Sequence, residues 1–447
     1  MIARKPRSFQ ERLGVRAGML IVAYFGLGYC LRQSHGEYWP EYLLALLLIL
    51  VFVVSALFLG RPPGRAWTGW LFLTVLVQLA WFSDFQGFFH QEQELGLYWL
   101  LRSQVRLMFA SLLLLWSPRW ASRLFLVVVV AQLAGRILVP LQSPHPHVDV
   151  FTIGTQGADW LLHGHNPYAR EYEDVYHGLY GYRPIYLYWP TGLLLQAGSL
   201  ALTGDIRFAF VASEILTTAL LYSWLPGNAM RRWLWVLVWL TFPTQMVVLE
   251  KAWLEPFLVF FWILSLWMVQ RGRPLVAGSC LGLLCAVKQT AVFLPLLLLP
   301  YFRARFGSSQ TLRAVGCTLA TYLAVVLPFA LADWGWFYSS TLGALLQMPA
   351  RPDSLNLNAH LMHQGLPVLS GPGYLAVVAG TFGMLMVWLT RRPTLQRTLG
   401  ASLALYSVLF MCAKQAFLNY YVFLAFLLLI AVAECERPVP LDDSAGG

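Results

Sequence analysis

The chain has 447 residues, 58% of them hydrophobic and only 12% charged, with a formal net charge of +10. Soluble domains average roughly 25% charged residues, so a water-soluble enzyme is excluded, no nucleic-acid partner is expected, and lipid is the solvent for most of this chain. The six cysteines lie in or beside apolar segments without zinc-like spacing, so neither a disulfide framework nor a structural metal is expected.

Residues 1–16, "MIARKPRSFQERLGVR", are basic and lack a cleavage site after a short apolar core; they read as a retained cytoplasmic tail. A crossing helix needs about 20 apolar residues. Candidate spans follow at 17–32, 41–60, 67–84, 97–116, 120–141, 206–225, 232–249, 253–270, 313–332, 372–390, 397–413 and 416–433. The run 274–302 would be about 43 Å long as one helix, too long for a core of about 30 Å. It reads instead as two short helices, 274–287 and 289–302, whose junction at Lys288-Gln289 must face protein or water, because lipid satisfies no backbone groups.

Basic residues collect in short cytoplasmic loops. With both termini inside, the pairs Arg61/Arg65, Arg119/Arg123, Arg231/Arg232 and Arg271/Arg273 and the groups Arg303/Arg305/Arg313 and Arg391/Arg392/Arg397 all fall inside. The fold class is therefore an all-α, polytopic integral-membrane bundle of about 14 transmembrane helices. Its parts are the tail 1–16, a five-helix N-terminal segment 17–141, a second membrane module 142–433 and a cytoplasmic tail 434–447. Two long outer loops, 142–205 and 333–371, hold seven of the nine histidines, and His35 and His90 fall in other outward-facing segments of the same threading. Counting 186–204 as a span would invert every later loop, so it reads as a juxtamembrane or re-entrant helix in the first of them. No soluble domain, low-complexity tract or internal repeat is visible.

The first outer loop predicts a short amphipathic helix over 150–163, ended by Gly164 and the Asn166-Pro167 turn signal. His145, His147 and Asp149 alternate, so in an extended strand they share one side. That geometry can bind a divalent metal, but the pattern is too loose to single one out, and no cofactor is expected. Arg102 and Arg106, with Arg136, either hold an anionic lipid head group or pair with Glu92 and Glu94.

Asp149, Gly157-Ala158, Leu161-Leu162, Gly164 and Asn166-Pro167-Tyr168, then Tyr182 with Pro184 or Tyr188-Trp189-Pro190, and later "AVKQTAVFLPLLLLP", resemble the polyprenyl-phosphate-sugar-dependent glycosyltransferases of GT-C fold. The nearest match is glycosyltransferase family 87, and the resemblance covers roughly 145–433. It implies a GT-C-type bundle and an inner-membrane glycosyltransferase, mannosyl- or arabinosyltransferase-like, acting on the extracytoplasmic face. It also implies a polyprenyl phosphate sugar donor carrying mannose or another hexose or pentose, a lipid or glycan acceptor, and an aspartate at the head of the first outer loop as base. Three features depart from the family: five helices precede the aspartate, the Asp149-to-Gly164 spacing is one residue longer than the family's, and "EKAWLEP" stands where a Gly-Gln turn is expected.

Such a transfer needs a base for the acceptor hydroxyl and cations for the departing phosphate. Asp149 fits the first role; a helix cap or solvated loop acid is the plain alternative. Lys288 with Gln289 fits the second, unless an internal carboxylate such as Glu214 or Glu255 answers the lysine. Lys414 repeats the Lys-Gln pattern before Asn419 and Tyr420 and is either another phosphate contact or a snorkelling lysine in an aromatic belt. Arg351, Asn356 and His360 form a polar cluster suited to phosphate and sugar hydroxyls, or else an ordinary capped loop. Tyr168, Tyr182, Tyr188 and Trp189 offer faces on which a sugar or acceptor can stack. A rival reading is a non-enzymatic transporter or flippase of lipid-linked saccharides, with Lys288 and Glu214 as coupling residues.

Overall fold

The computed structural model describes residues 15–58, 121–242 and 244–435, together with Leu71, Thr74, Gln78 and Arg437. The expected span at 97–116 and nearly all of 67–84, with Arg102, Arg106, Glu92 and Glu94, lie outside the described residues. Within them the protein is all-helical, apart from an isolated bridge between Glu37 and Ser354. The helices are α1 Val15–Ser34, α2 Pro40–Phe58, α3 Ala121–Gln142, α4 Asp149–Leu162, α5 Pro190–Thr203, α6 Arg207–Trp224, α7 Ala229–Leu240, α8 Gln245–Glu250 and α9 Glu255–Gln270. They continue with α10 Pro274–Cys285, α11 Phe293–Ala332, α12 Trp334–Tyr338, α13 Ala344–Gln347, α14 Leu357–His363, α15 Gly371–Arg391, α16 Leu395–Met411 and α17 Leu418–Glu434.

Gln289–Ala332 and Gly371–Arg391 are long and apolar enough to cross a membrane, and α5 with α6, bent by 108°, make a third if they form one span. Several shorter apolar helices accompany them, among them Glu255–Gln270 and Leu418–Glu434. The protein is a membrane protein. The helix expected at 186–204 begins at Pro190, after an extended segment. The single helix expected at 232–249 is two: α7 stops at Thr241, whose hydroxyl donates to Leu237 O, and α8 starts at Gln245. The chain carries Pro243 there, which has no N–H to continue the ladder.

The run 274–302 does break at Lys288. A one-turn 3₁₀ segment, Gln289–Val292, follows, and the helix then continues through the arginines to Ala332, turning only at Gly307 (φ 78°). Close helix contact fixes the break. Gly278 and Gly282, four apart on α10, face Ala314 and Thr318 of α11, and a Cβ on Gly282 would stand 2.5 Å from the Thr318 carbonyl oxygen. Small residues at this spacing let backbones approach where lipid gives helices no hydrophobic drive to associate. The Thr318 hydroxyl uses the proximity, donating to Gly278 O at 2.9 Å.

Candidate active site

The backbone groups freed at the break are taken up by the extended segment ahead of α5. Trp189 N–H donates to Val287 O (3.2 Å), Thr191 N–H to Ala286 O (2.8 Å), and the Gln289 amide to Leu187 O (2.7 Å). This is the accounting a helix interruption among apolar neighbours requires. It also lays Tyr188 beside Lys288, whose Nζ is 5.5 Å from that ring's centroid.

Lys288 is 6% exposed, and its Nζ lies 2.8 Å from Glu255 Oε1 at the start of α9. The Asn419 amide donates to the same oxygen (3.0 Å), and the Tyr420 ring lies 4.2 Å below the ammonium. Of the two carboxylates that could answer this lysine, it is Glu255. Glu214 is paired with Arg136, which is fully buried and also donates to Leu240 O and Gln245 Oε1. Arg136 is therefore committed inside the bundle and not to a lipid head group.

Asp149 is the first residue of α4, with Val148 at the cap position, and no side chain caps the helix. Its Oδ1 accepts from Val150 N–H (2.8 Å) and its Oδ2 from the Tyr182 hydroxyl (2.7 Å). Burial, the Asp149 charge and that hydrogen bond together push the Tyr182 phenol well up, so it stays a donor. Asp149, Tyr182, Tyr188, Lys288, Gln289, Arg351, Asn419 and Tyr420 line one cavity of about 270 Å³. Arg351 is clamped there between the Tyr180 and Phe417 rings (3.6 and 4.6 Å) and paired with Asp353. Burial opposes its charge, and Asp353 with Tyr180 and Tyr182 outweighs burial.

Other residues singled out in the sequence stand outside the cavity lining. Tyr168 is fully buried among Tyr186, Phe329 and Phe337 and donates to Tyr188 O (2.9 Å), so it supports the wall without facing the space. Trp189 packs on Tyr322, Asn356 caps α14, and His360 meets the Tyr38 hydroxyl at 2.8 Å. Lys414 donates to Leu346 O and Met348 O, fastening the loop that carries Arg351. His147 lies edge-on to Tyr176, and among the described residues no group of three or more His, Cys, Asp or Glu could hold a metal.

Three features were not legible in advance. Lys251 lines the cavity from the turn after α8. His35 and Glu37 reach it from the α1–α2 turn, which is tied to the loop at 353 by Tyr38 N–H donating to Asp353 O (3.0 Å). An apolar groove of about 290 Å³ between α10 and α11 takes Cys285 and Val292 from the same break that gives Lys288, Gln289 and Thr290 to the cavity. Only a basic residue near a broken helix end or a polar turn beside a span could have flagged the first two.

Compared with known proteins, residues 184–437 match the model of glycosyltransferase family 87, bearing out the resemblance seen in the sequence; the match begins after Asp149. No curated protein matches the chain.

Proposed function

The chain belongs to glycosyltransferase family 87, and from that premise we propose that it moves a sugar from a polyprenyl phosphate to a lipid or glycan acceptor on the extracytoplasmic face of the inner membrane. Asp149 takes the proton of the acceptor hydroxyl; the freed oxygen forms the new bond to C1 of the sugar. The bond from C1 to the phosphate oxygen breaks, and its electron pair leaves with polyprenyl phosphate. One displacement inverts the anomeric centre and needs one carboxylate. The catalytic module is 142–433 in a GT-C-type bundle of about 14 spans, both termini cytoplasmic.

The observation that carries this reading is the placing of Asp149, oriented by Tyr182, in one cavity with Lys288 and Arg351. The same helix break gives residues to an apolar groove suited to a prenyl chain. Lys288 and Arg351 are balanced by Glu255 and Asp353, but each keeps N–H donors beyond those its carboxylate uses, which can meet the phosphate as its charge develops. Tyr182, Tyr188, Asn419 and Tyr420 offer ring faces and an amide to the sugar and acceptor. Membrane vesicles given polyprenyl phosphate carrying a labelled sugar test it. Covalent transfer to an acceptor is expected; translocation without transfer, or no use of the polyprenyl donor, overturns it.

A further inference from the structure

Four cations line the cavity, and three are already committed: Arg183 to Glu171, Lys288 to Glu255 and Arg351 to Asp353. Lys251 alone has no ion pair or hydrogen bond to its side chain among the described residues; its ammonium lies 5.2 Å from the Trp253 ring centroid. The backbone holds it there firmly. Lys251 N–H donates to Val247 O and Trp253 N–H to Val248 O (both 3.0 Å), closing α8 with Ala252 left-handed at φ 55°. Helices usually place glycine at such an end. An alanine there is a strained residue, of the kind that clusters at ligand sites.

We propose that Lys251 is the direct ligand of the donor's phosphate, holding its non-bridging oxygens in the cavity that Asp149 also lines; this rests on the polyprenyl phosphate donor of the preceding section. An ammonium that is half-buried and has no partner gains most from an arriving anion, because the cost of its desolvation is not yet offset. Burial does draw the Lys251 pKa down, against the pull of Glu250, Glu37 and Asp149. The committed cations meet the phosphate with their charge already shared with a carboxylate, and Lys251 meets it without an ion pair.

The test is thermal melting of the purified full chain in detergent, titrated with polyprenyl phosphate, neutral polyprenol or inorganic phosphate. Polyprenyl phosphate is expected to raise the melting temperature of the wild type, and Lys251→Gln to weaken that binding roughly 10- to 100-fold, as for a lost charge-assisted hydrogen bond. Lys251→Arg should keep the shift, and so should Arg170→Gln, which removes an exposed cation that does not line the cavity. A full shift retained by Lys251→Gln overturns the inference alone, including when only its pH profile of turnover moves, since that result assigns Lys251 to balancing Asp149 and Glu37. An equal shift from inorganic phosphate at the same concentration overturns the lipid as source of the anion. No shift with polyprenyl phosphate in the wild type overturns the donor reading as well.

Discussion

Lys288 and Glu255, 33 residues apart in sequence, meet at 2.8 Å where α9 begins and α10 has ended. The lysine is therefore compensated before any substrate arrives. Removing one member of a buried pair leaves the other charged and alone, at a cost of about 3–5 kcal/mol. Lys288→Met should lower the melting temperature markedly, and Lys288→Met with Glu255→Gln should recover much of the loss. A single variant as stable as the wild type would show that the pair adds nothing to the fold.

Asp149→Asn keeps the size of the side chain and an oxygen for the Tyr182 hydroxyl, so the fold and donor binding should survive. Turnover should fall by at least about 10²-fold, the usual loss with a general base. Tyr182→Phe should cost less, because it removes an orienting contact and leaves the carboxylate. Single-turnover measurements with saturating donor separate the two variants, and near-normal turnover by Asp149→Asn removes that residue from the chemistry.

How far the sequence disclosed this arrangement depended on separation along the chain. Apolar length alone gave α15, α16 and α17 to within a few residues, since lipid demands it. The break at Lys288 was also readable, because a lysine in hydrocarbon is costly and a helix of that length does not fit the bilayer. The partner was not: Glu214 and Glu255 were equal candidates until packing brought Arg136 to one and Lys288 to the other. Tyr168 and Trp189 have the composition of a sugar platform, yet Tyr168 is buried in the wall and Trp189 packs on Tyr322, a distinction burial makes and residue type does not. Lys251 carries no mark in the sequence, because only the ion pairs formed by the other cavity cations set it apart from them.

The α10–α11 contact predicts a steric failure with a defined consequence. Gly282→Ala would press a methyl group against the Thr318 carbonyl and the Thr321 side chain, and Gly282→Leu more so. Overpacking of this kind typically costs about 1–3 kcal/mol. Because the contact holds the break in place, both variants should lose donor binding along with thermal stability, whereas Gly316→Ala, with open space around it, should lose neither. Equal melting temperatures for all three would remove the close approach from the account of the fold.

The α1–α2 turn lies outside the residues that match the family, yet it brings His35 and Glu37 to the cavity. Gly36 makes this docking possible. Its φ is 75°, and a Cβ there would lie 2.5 Å from the backbone nitrogen of Leu418, at the start of the helix that carries Asn419 and Tyr420. Gly36→Ala meets both penalties: a left-handed backbone that costs an L-residue about 1–2 kcal/mol, and a clash with main chain that cannot swing away. The turn must then lift off Leu418, taking Glu37 out of the cavity wall and loosening Asn419 against Glu255. The expected result is a lower melting temperature together with reduced turnover, while Glu37→Gln, which alters only the cavity lining, should change turnover and leave melting unaltered. Unchanged kinetics in both variants would show that the N-terminal hairpin only packs against the site and contributes nothing to what it binds.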